Sequence, residues 1–263
     1  MNRIDKKFKE LRAKKKKAFI AYITAGDPSL AMTERIVAAL QRSGVDIIEL
    51  GIPFSDPLAD GPVIQAASER ALEKGATLAK VFALVTRLRK KTEIPLVFMT
   101  YYNPVLRYGL SEFVKSCKRT GVDGVILPDL PCEEAGELIK LGRKAGIATI
   151  FLAAPTSTRK SLKTIAKNSR GFIYYVSLTG VTGARSSLPP EIASNVKLIK
   201  SMTDKPVAVG FGVSRPEQAR HIARAADGVI VGSAIVKIIG EKRNIVPKVS
   251  SFAKRLSKAI HNA

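Results

Sequence analysis

The sequence predicts an α/β protein, a (β/α)8 TIM barrel with an extra helix at its N-terminus. Three observations carry this. Eight short apolar runs recur along the 263 residues, each followed by a stretch of helical spacing. The length suits one such barrel, which typically takes about 250 residues. The alternative is a doubly wound open sheet. That fold most often shows G-x-G-x-x-G after its first strand, and here "ITAGDPS" follows instead.

The elements follow in order. "MNRIDKKFKELRA" spaces Ile4, Phe8 and Leu11 on one helical face, which predicts an amphipathic helix across the closed bottom of the barrel. "FIAYIT" (19–24) is the first strand. "SLAMTERIVAALQRSG" (29–44) is a helix with Ile36, Ala39 and Leu40 on one side, closed by Gly44. "DIIEL" (46–50) is the second strand, followed by helical stretches at 62–74 and 77–91. The second of these repeats Leu78, Val81, Phe82, Val85 and Leu88. "PLVFM" (95–99) precedes a helix ending near Thr120, and "GVILP" (124–128) precedes one at 132–144. Then come "IATIFLA" (147–153), a helix at 158–167, "FIYYVS" (172–177) and a helix at 189–202. "PVAVG" (206–210), a helix at 214–226, "GVIVG" (228–232) and a last helix at 245–261 complete the series. No linker or low-complexity tract interrupts it, so residues 1–263 read as one domain.

Composition narrows the class. Hydrophobic residues make up 46%, enough for a sizeable core. No apolar run approaches the length of a membrane span, and the charged N-terminus lacks a secretory apolar segment. Two cysteines without CxxC spacing predict a reduced, cytoplasmic protein without disulfides. Lys plus Arg is 44 against 22 for Asp plus Glu, a net charge of +22. Such a charge invites nucleic acid. The cations are dispersed, however, with few aromatics among them and no nucleic-acid motif, so the reading is against it.

The chemistry concentrates at predicted strand ends, where such barrels hold their active sites. Glu49 nearly ends the second strand and shares a face with Ile47. Two orientations remain open: inward, where desolvation favours the neutral carboxyl, or outward to a lysine. The loop behind it carries Pro53, Pro57 and Pro62, with Asp56 and Asp60 among them. Asp-Pro and Asp-Gly are common turn chemistry, yet the stiffened loop also suits holding Asp60 over the barrel mouth. "GFG" (210–212) and "GSA" (232–234) follow the last two strands, where these barrels bind phosphate, and Ser233 is placed to open a short helix toward an anion. The simpler reading is that each glycine only ends its strand. "SLTGVTGARSS" (177–187) reads as a mobile lid or as an ordinary flexible loop.

Absences help. His221 and His261 both lie away from strand ends, which disfavours a histidine base, a Ser-His-Asp triad or a histidine metal site. No lysine ends a strand, which disfavours a Schiff-base aldolase. Carboxylates acting on a phosphorylated substrate remain, helped by Tyr174 or Tyr175.

These residues resemble a known family. "ELGIPFSDPLADGPVIQ" (49–65) is similar to the signature segment of the tryptophan synthase α subunit. "YITAGDP" (22–28), "GVDGVILPDLP" (121–131), "GVTGAR" (180–185), "GFGVSRPEQ" (210–218) and "GSAIVKII" (232–239) follow in family order and spacing, so the likeness covers essentially the whole chain.

The resemblance implies a lyase that cleaves indole-3-glycerol phosphate to indole and glyceraldehyde 3-phosphate. It implies that Glu49 protonates the indole ring, that Asp60 holds the ring N–H, and that Tyr174 stands beside the glutamate. Thr182, Gly183, Phe211, Gly212, Gly232 and Ser233 match phosphate and pocket positions. Tyr22 falls where a related sequence carries phenylalanine against the indole. Asp56 and the stretch from Tyr101 to Asn103 match a surface facing the β subunit, in an α2β2 heterotetramer. That partner carries pyridoxal phosphate and receives indole through a tunnel; this chain needs no cofactor or metal. The +22 charge departs from acidic members of the family. Two other readings fit the same motifs: a stand-alone lyase releasing indole, and a non-catalytic barrel that activates the β subunit. Intact Glu49 and Asp60 argue against the last.

Overall fold

The structure is a computed structural model, described for residues 1–176, 190–210 and 212–263. Its frame is a parallel sheet rolled into a barrel and surrounded by helices. Helix α1 (Arg3–Ala13) begins the chain, with the Asn2 side chain accepting from the Ile4 N–H as its cap. Strand β1 (Ala18–Thr24) leads to α2 (Leu30–Arg42), and β2 (Ile47–Gly51) to α3 (Pro62–Glu73) and α4 (Leu78–Arg89). Strand β3 (Leu96–Met99) is followed by α5 (Tyr102–Tyr108) and α6 (Leu110–Thr120). One helix was expected there. Gly109 divides it, with φ +89°, a left-handed value that favours glycine.

Strand β4 (Gly124–Ile126) leads to α7 (Gly136–Ala145). The predicted fifth strand arrives in two pieces, β5 (Ala148–Thr149) and β6 (Leu152–Ala153). Then come α8 (Arg159–Asn168), β7 (Ile173–Val176), α9 (Pro190–Lys200), β8 (Val207–Gly210), α10 (Pro216–Ala225), β9 (Gly228–Val231), α11 (Ser233–Gly240) and α12 (Ile245–His261).

The strand order is β5-β4-β3-β2-β1-β9-β8-β7-β6, and every pairing is parallel. The two ends of that order are one continuous segment, 148–153. Within it the Ile150 N–H donates to the Val125 carbonyl at 3.0 Å, and the Phe151 carbonyl accepts from the Tyr174 N–H at 3.1 Å. The segment therefore binds β4 on one side and β7 on the other. That closes the barrel and leaves no free sheet edge among the described residues.

Two packed layers result. Inward-facing Ile20, Ile47, Val97, Ile126, Ile150, Phe172 and Ile230 form one cluster with Ile4, Phe8 and Leu11 of α1. Helix α1 thus plugs the end at which the strands begin. Outward-facing strand residues pack the helices in a larger cluster. At the closed end His261 Nε2 lies 2.8 Å from Asp46 Oδ2, and its Nδ1 lies 3.2 Å from Ser257 Oγ. A Ser-His-Asp line therefore exists, remote from the mouth. The Ser257 hydroxyl donates to the Gly44 carbonyl at 3.2 Å, and Asp46 accepts from the Phe19 N–H at 2.9 Å, so the line ties α12 to the start of β2. Among the described residues no helix is long and apolar enough to cross a membrane.

Candidate active site

Glu49 faces the barrel interior. Ile47, two residues earlier on β2, belongs to the interior cluster, and strand alternation turns Glu49 the same way. It is 0% exposed, and neither carboxyl oxygen has a hydrogen-bond partner among the described residues. An ionised carboxylate without partners in such a place is costly, so burial pushes its pKa up to about 8. At neutral pH Glu49 is a carboxylic acid.

Two tyrosines stand near it. Tyr22 is paired with Glu49 in the β1–β2 register. Tyr174, on β7, is packed against the interior cluster. Burial raises both phenols well above their usual range, and the neighbouring carboxylates add to the effect; Asp60 acts more strongly on Tyr22, Glu49 more strongly on Tyr174. Both tyrosines therefore remain neutral hydroxyls throughout the working pH range. Glycines admit them. A Cβ at Gly51 would fall 2.1 Å from the Tyr22 hydroxyl, and one at Gly210 would fall 2.6 Å from the Tyr174 hydroxyl.

The loop 52–61 brings Asp60 to this group. The Asp60 N–H donates to the Pro57 carbonyl at 3.0 Å, and the Leu58 N–H donates to the Asp56 carbonyl at 2.9 Å, so the turn chemistry of the sequence is present. Gln65 of α3 donates to the Asp60 carbonyl at 2.9 Å, and the Ala59 N–H donates to the Tyr101 hydroxyl at 2.9 Å. Partial burial pushes the Asp60 carboxyl up to about 6, and the Tyr101 hydroxyl opposes that rise. The two acids thus separate: one is neutral near pH 7 and the other mostly charged, the pattern that assigns acid and base roles in carboxylate sites.

Other residues fall as follows. Tyr101, placed by resemblance on the partner surface, is 7% exposed; its ring centroid lies 5.4 Å from that of Phe54, and its hydroxyl holds the loop. Asn103 is exposed on α5. Asp56 is exposed and accepts from the Ser55 hydroxyl at 2.5 Å. Gly232 caps α11, whose first residue is the exposed Ser233, and the first N–H groups of that helix have no acceptor within it. Gly212 is exposed with φ +36° and open space at its Cβ position. Thr182, Gly183 and Phe211, and the lid read at 177–187, lie outside the described residues. Tyr22, Ala67 and Val236 pack together, with Val63, Ile64 and Met99 against them, forming an apolar wall between α3 and α11. That wall can take a flat aromatic ring beside Glu49 and Asp60, with an anion at the α11 N-terminus.

Sequence reasoning missed three supports. Gln65 ties down the loop. Gly210 leaves room for Tyr174. Arg70 of α3 grips the buried Asp27 with both arms, Nε to Oδ1 at 2.9 Å and an Nη2 to Oδ2 at 2.7 Å, joining α3 to the loop after β1. Only the "GDP" within the first loop hinted at the last.

Comparison with known proteins finds relatives over essentially the whole chain. Residues 8–261 match the family described as "Tryptophan synthase alpha chain". The chain is 48% identical over 264 residues to the tryptophan synthase alpha chain of Geobacter sulfurreducens, covering 100% of both. It is 52% identical over 237 residues to that of Geotalea daltonii, covering 90% of each. Among solved structures it is similar to the tryptophan synthase subunit alpha of Legionella pneumophila, with a TM-score of 0.93, 39% identity and 100% coverage of both chains. It is also similar to a chain of the tryptophan synthase complex of Pyrococcus furiosus, with a TM-score of 0.84, 41% identity and coverage of 92% and 98%.

Proposed function

The chain belongs to the tryptophan synthase alpha chain family, and from that premise we propose that Glu49 carries the proton in its reaction, assisted by Asp60 and Tyr174. The reaction is the cleavage of indole-3-glycerol phosphate to indole and glyceraldehyde 3-phosphate, a lyase step of tryptophan biosynthesis. The alpha chain brings no cofactor; pyridoxal phosphate belongs to the β subunit that partners it, in an α2β2 assembly that passes indole between subunits.

One observation carries the assignment: Glu49 is buried, neutral and without a hydrogen-bond partner among the described residues, and it shares the neighbours Tyr22 and Tyr174 with a mostly charged Asp60. Glu49 gives its proton to C3 of the indole ring. The ring nitrogen becomes positive, and Asp60, accepting the N–H, stabilises that charge. Glu49, now a carboxylate, takes the proton from the hydroxyl of the carbon attached to C3. That carbon becomes the aldehyde as the C–C bond breaks, and the bond's electron pair returns to the ring and restores its aromaticity. Glu49 ends protonated, as it began. Tyr174 stays neutral and offers a fixed hydroxyl beside the glutamate. The phosphate is assigned to backbone N–H groups at Gly232 and Ser233; Thr182, Gly183, Phe211 and Gly212 are the further positions that the family resemblance assigns to it. Tyr22 packs against the indole.

Asp56 and Asn103 mark the surface toward the β subunit. Support comes from Leu58 and Leu106, which are 93% and 56% exposed on the same two segments. The reduced cysteines Cys117 and Cys132, both buried and unpaired, support a cytoplasmic setting. The functional test is indole release from indole-3-glycerol phosphate by the purified chain, with and without its β subunit. No indole under either condition would refute the reading.

A further inference from the structure

The end of the barrel opposite the mouth holds a second concave site. A cavity of about 610 Å³ opens beside α1, lined by Phe8, Gly171 and Pro206 and by polar residues from four separate parts of the chain. That volume falls in the range of small-molecule sites. Six cations line it: Lys9 and Arg12 from α1, Arg143 from α7, Lys167 and Arg170 from the end of α8 and the turn after it, and Lys205 from the turn before β8. Only two carboxylates, Asp5 and Asp204, accompany them, so six minus two leaves a local charge of +4.

The cations are only partly compensated there, Asp5 feeling the charge of Arg170 without a close pair. Among the described residues none of the six makes an ion pair within 4.0 Å, whereas cations elsewhere do so with Glu10, Asp27, Glu34 and Asp123. Residues 177–189 and 211 contain no Asp or Glu that could serve. The bonds these side chains do make are weak or go to carbonyls: Arg12 reaches the Asp204 carbonyl at 3.4 Å, Arg143 reaches Asn168 Oδ1 at 3.4 Å, and Lys205 donates to the Ala166 carbonyl and to the Lys167 carbonyl at 3.0 Å. The like charges press on one another. Burial and then the Arg170 and Arg143 guanidiniums hold the Lys205 ammonium below its ordinary range. Converging cations in excess over the carboxylates of a cleft focus a positive field that an anion relieves.

We propose that this cavity binds a small, multiply charged phosphate compound of the pyrophosphate class. The charge matches: +4 faces the three to four negative charges of a pyrophosphate group. The donors match too, since three of the six cations are arginines, whose planar forks suit phosphate oxygens. The wall of Phe8, Gly171 and Pro206 leaves an apolar surface for an attached organic group. The cavity is too small to seat a nucleic-acid duplex, and its lining has one aromatic side chain, too few for a stacking platform. Because α1 supplies two of the cations, occupancy would also fasten the helix that plugs the barrel.

The test is calorimetric titration of inorganic pyrophosphate into the full chain at about 50 mM salt, with melting temperature followed in parallel. Four proteins are compared: wild type, Arg143→Glu/Arg170→Glu, Lys254→Glu/Arg255→Glu and Gly232→Asp. The second variant makes the same change in net charge on the exposed face of α12, and the third obstructs the phosphate position at the mouth. One site is expected in wild type, with affinity reduced about tenfold or more in the first variant and within about twofold of wild type in the other two. Arg143→Gln/Arg170→Gln serves if the reversed charges disturb folding, with a smaller loss in the same direction. Equal weakening in both charge-reversal variants would show that net charge alone acts. Loss in Gly232→Asp would place the anion at the mouth. No binding to wild type, or tighter binding of a 12-nucleotide single strand than of pyrophosphate, would overturn the proposal as well.

Discussion

Gly51 lies against the side chain of Tyr22 so closely that a Cβ there would fall 2.1 Å from the phenol oxygen and 2.5 Å from Cζ. Both residues face the mouth of the barrel, and the residue paired with Tyr22 across the two strands is Glu49. The absence of a side chain at position 51 is therefore what lets the Tyr22 ring lie across β2 beside the acid.

Gly51→Ala tests that relationship. The added methyl cannot coexist with the ring as placed, so Tyr22 or β2 must shift. A displacement of about 1 Å in a positioned site can cost on the order of 100-fold in rate. A fall of that size in kcat/KM for indole release is expected, with the fold retained by circular dichroism. A near-normal rate would show that the contact does not position the site.

Glu49→Gln separates activity from stability. Turnover should fall by at least about 10²–10⁴-fold while substrate still binds, since a positioned acid–base group is worth that much and this one acts twice. Stability should move the other way. The folded carboxyl titrates at about 8 and the ordinary one at 4.5, so the native state keeps the extra proton and stability drains away as pH rises from 4.5 to about 8. At pH 7 that amounts to about 3 kcal/mol, 2.5 pH units at 1.36 kcal/mol each, less the cost of burying the amide. Denaturant titration at pH 5 and pH 8 checks the sign. A mutant that gains no more at pH 8 than at pH 5 would contradict a neutral Glu49.

Gly232→Asp places a like charge and a side chain at the α11 N-terminus, where Tyr22 Cβ is already 3.3 Å from the Cβ position. Affinity for glycerol phosphate should fall by about tenfold or more, read by calorimetry. Unchanged affinity in a folded variant means that the phosphate sits elsewhere.

Leu58 and Asp56 occupy the exposed crest of the loop whose far end carries Asp60. Leu58→Asp should weaken the complex with the β subunit by about tenfold or more, since it puts a charge into an apolar contact. Asp56→Ala should remove most of the partner's acceleration, a coupling of roughly 5–150-fold, and spare the slow basal rate. Parallel loss of basal and stimulated rates would move Asp56 from the coupling to the site or the fold.

Much of the barrel was legible because its signals are local. The apolar runs, the helical spacing of Leu78, Val81, Phe82, Val85 and Leu88, and the Gly44 that closes α2 all act within a few residues of where they stand. The split of the fifth strand at Ile150 and Phe151 was not, since its continuity depends on bonds to Val125 and Tyr174 on neighbouring strands. The orientation of Glu49 had two readings from the residues alone; the resemblance favoured the interior, and the register with Tyr22 and the company of Ile47 place it there. The Tyr101 hydroxyl accepts from the Ala59 N–H, a contact between residues 42 apart that neither segment announces. The grip of Arg70 on Asp27 joins residues 43 apart, and nothing local to either names the other.

The central claim is that Glu49 enters the reaction as a neutral acid, and the pH dependence of kcat/KM for indole release tests it most directly. Asp60 must be charged, which gives an acid limb near 6, but the substrate's phosphate also titrates near ~6 and shares that limb. The alkaline limb belongs to Glu49. A rate that falls tenfold per pH unit above about 8, with the limb absent from the residual activity of Glu49→Gln, is the predicted result. A wild-type rate that stays level from pH 6 to 10, or a limb that survives in Glu49→Gln, would contradict it.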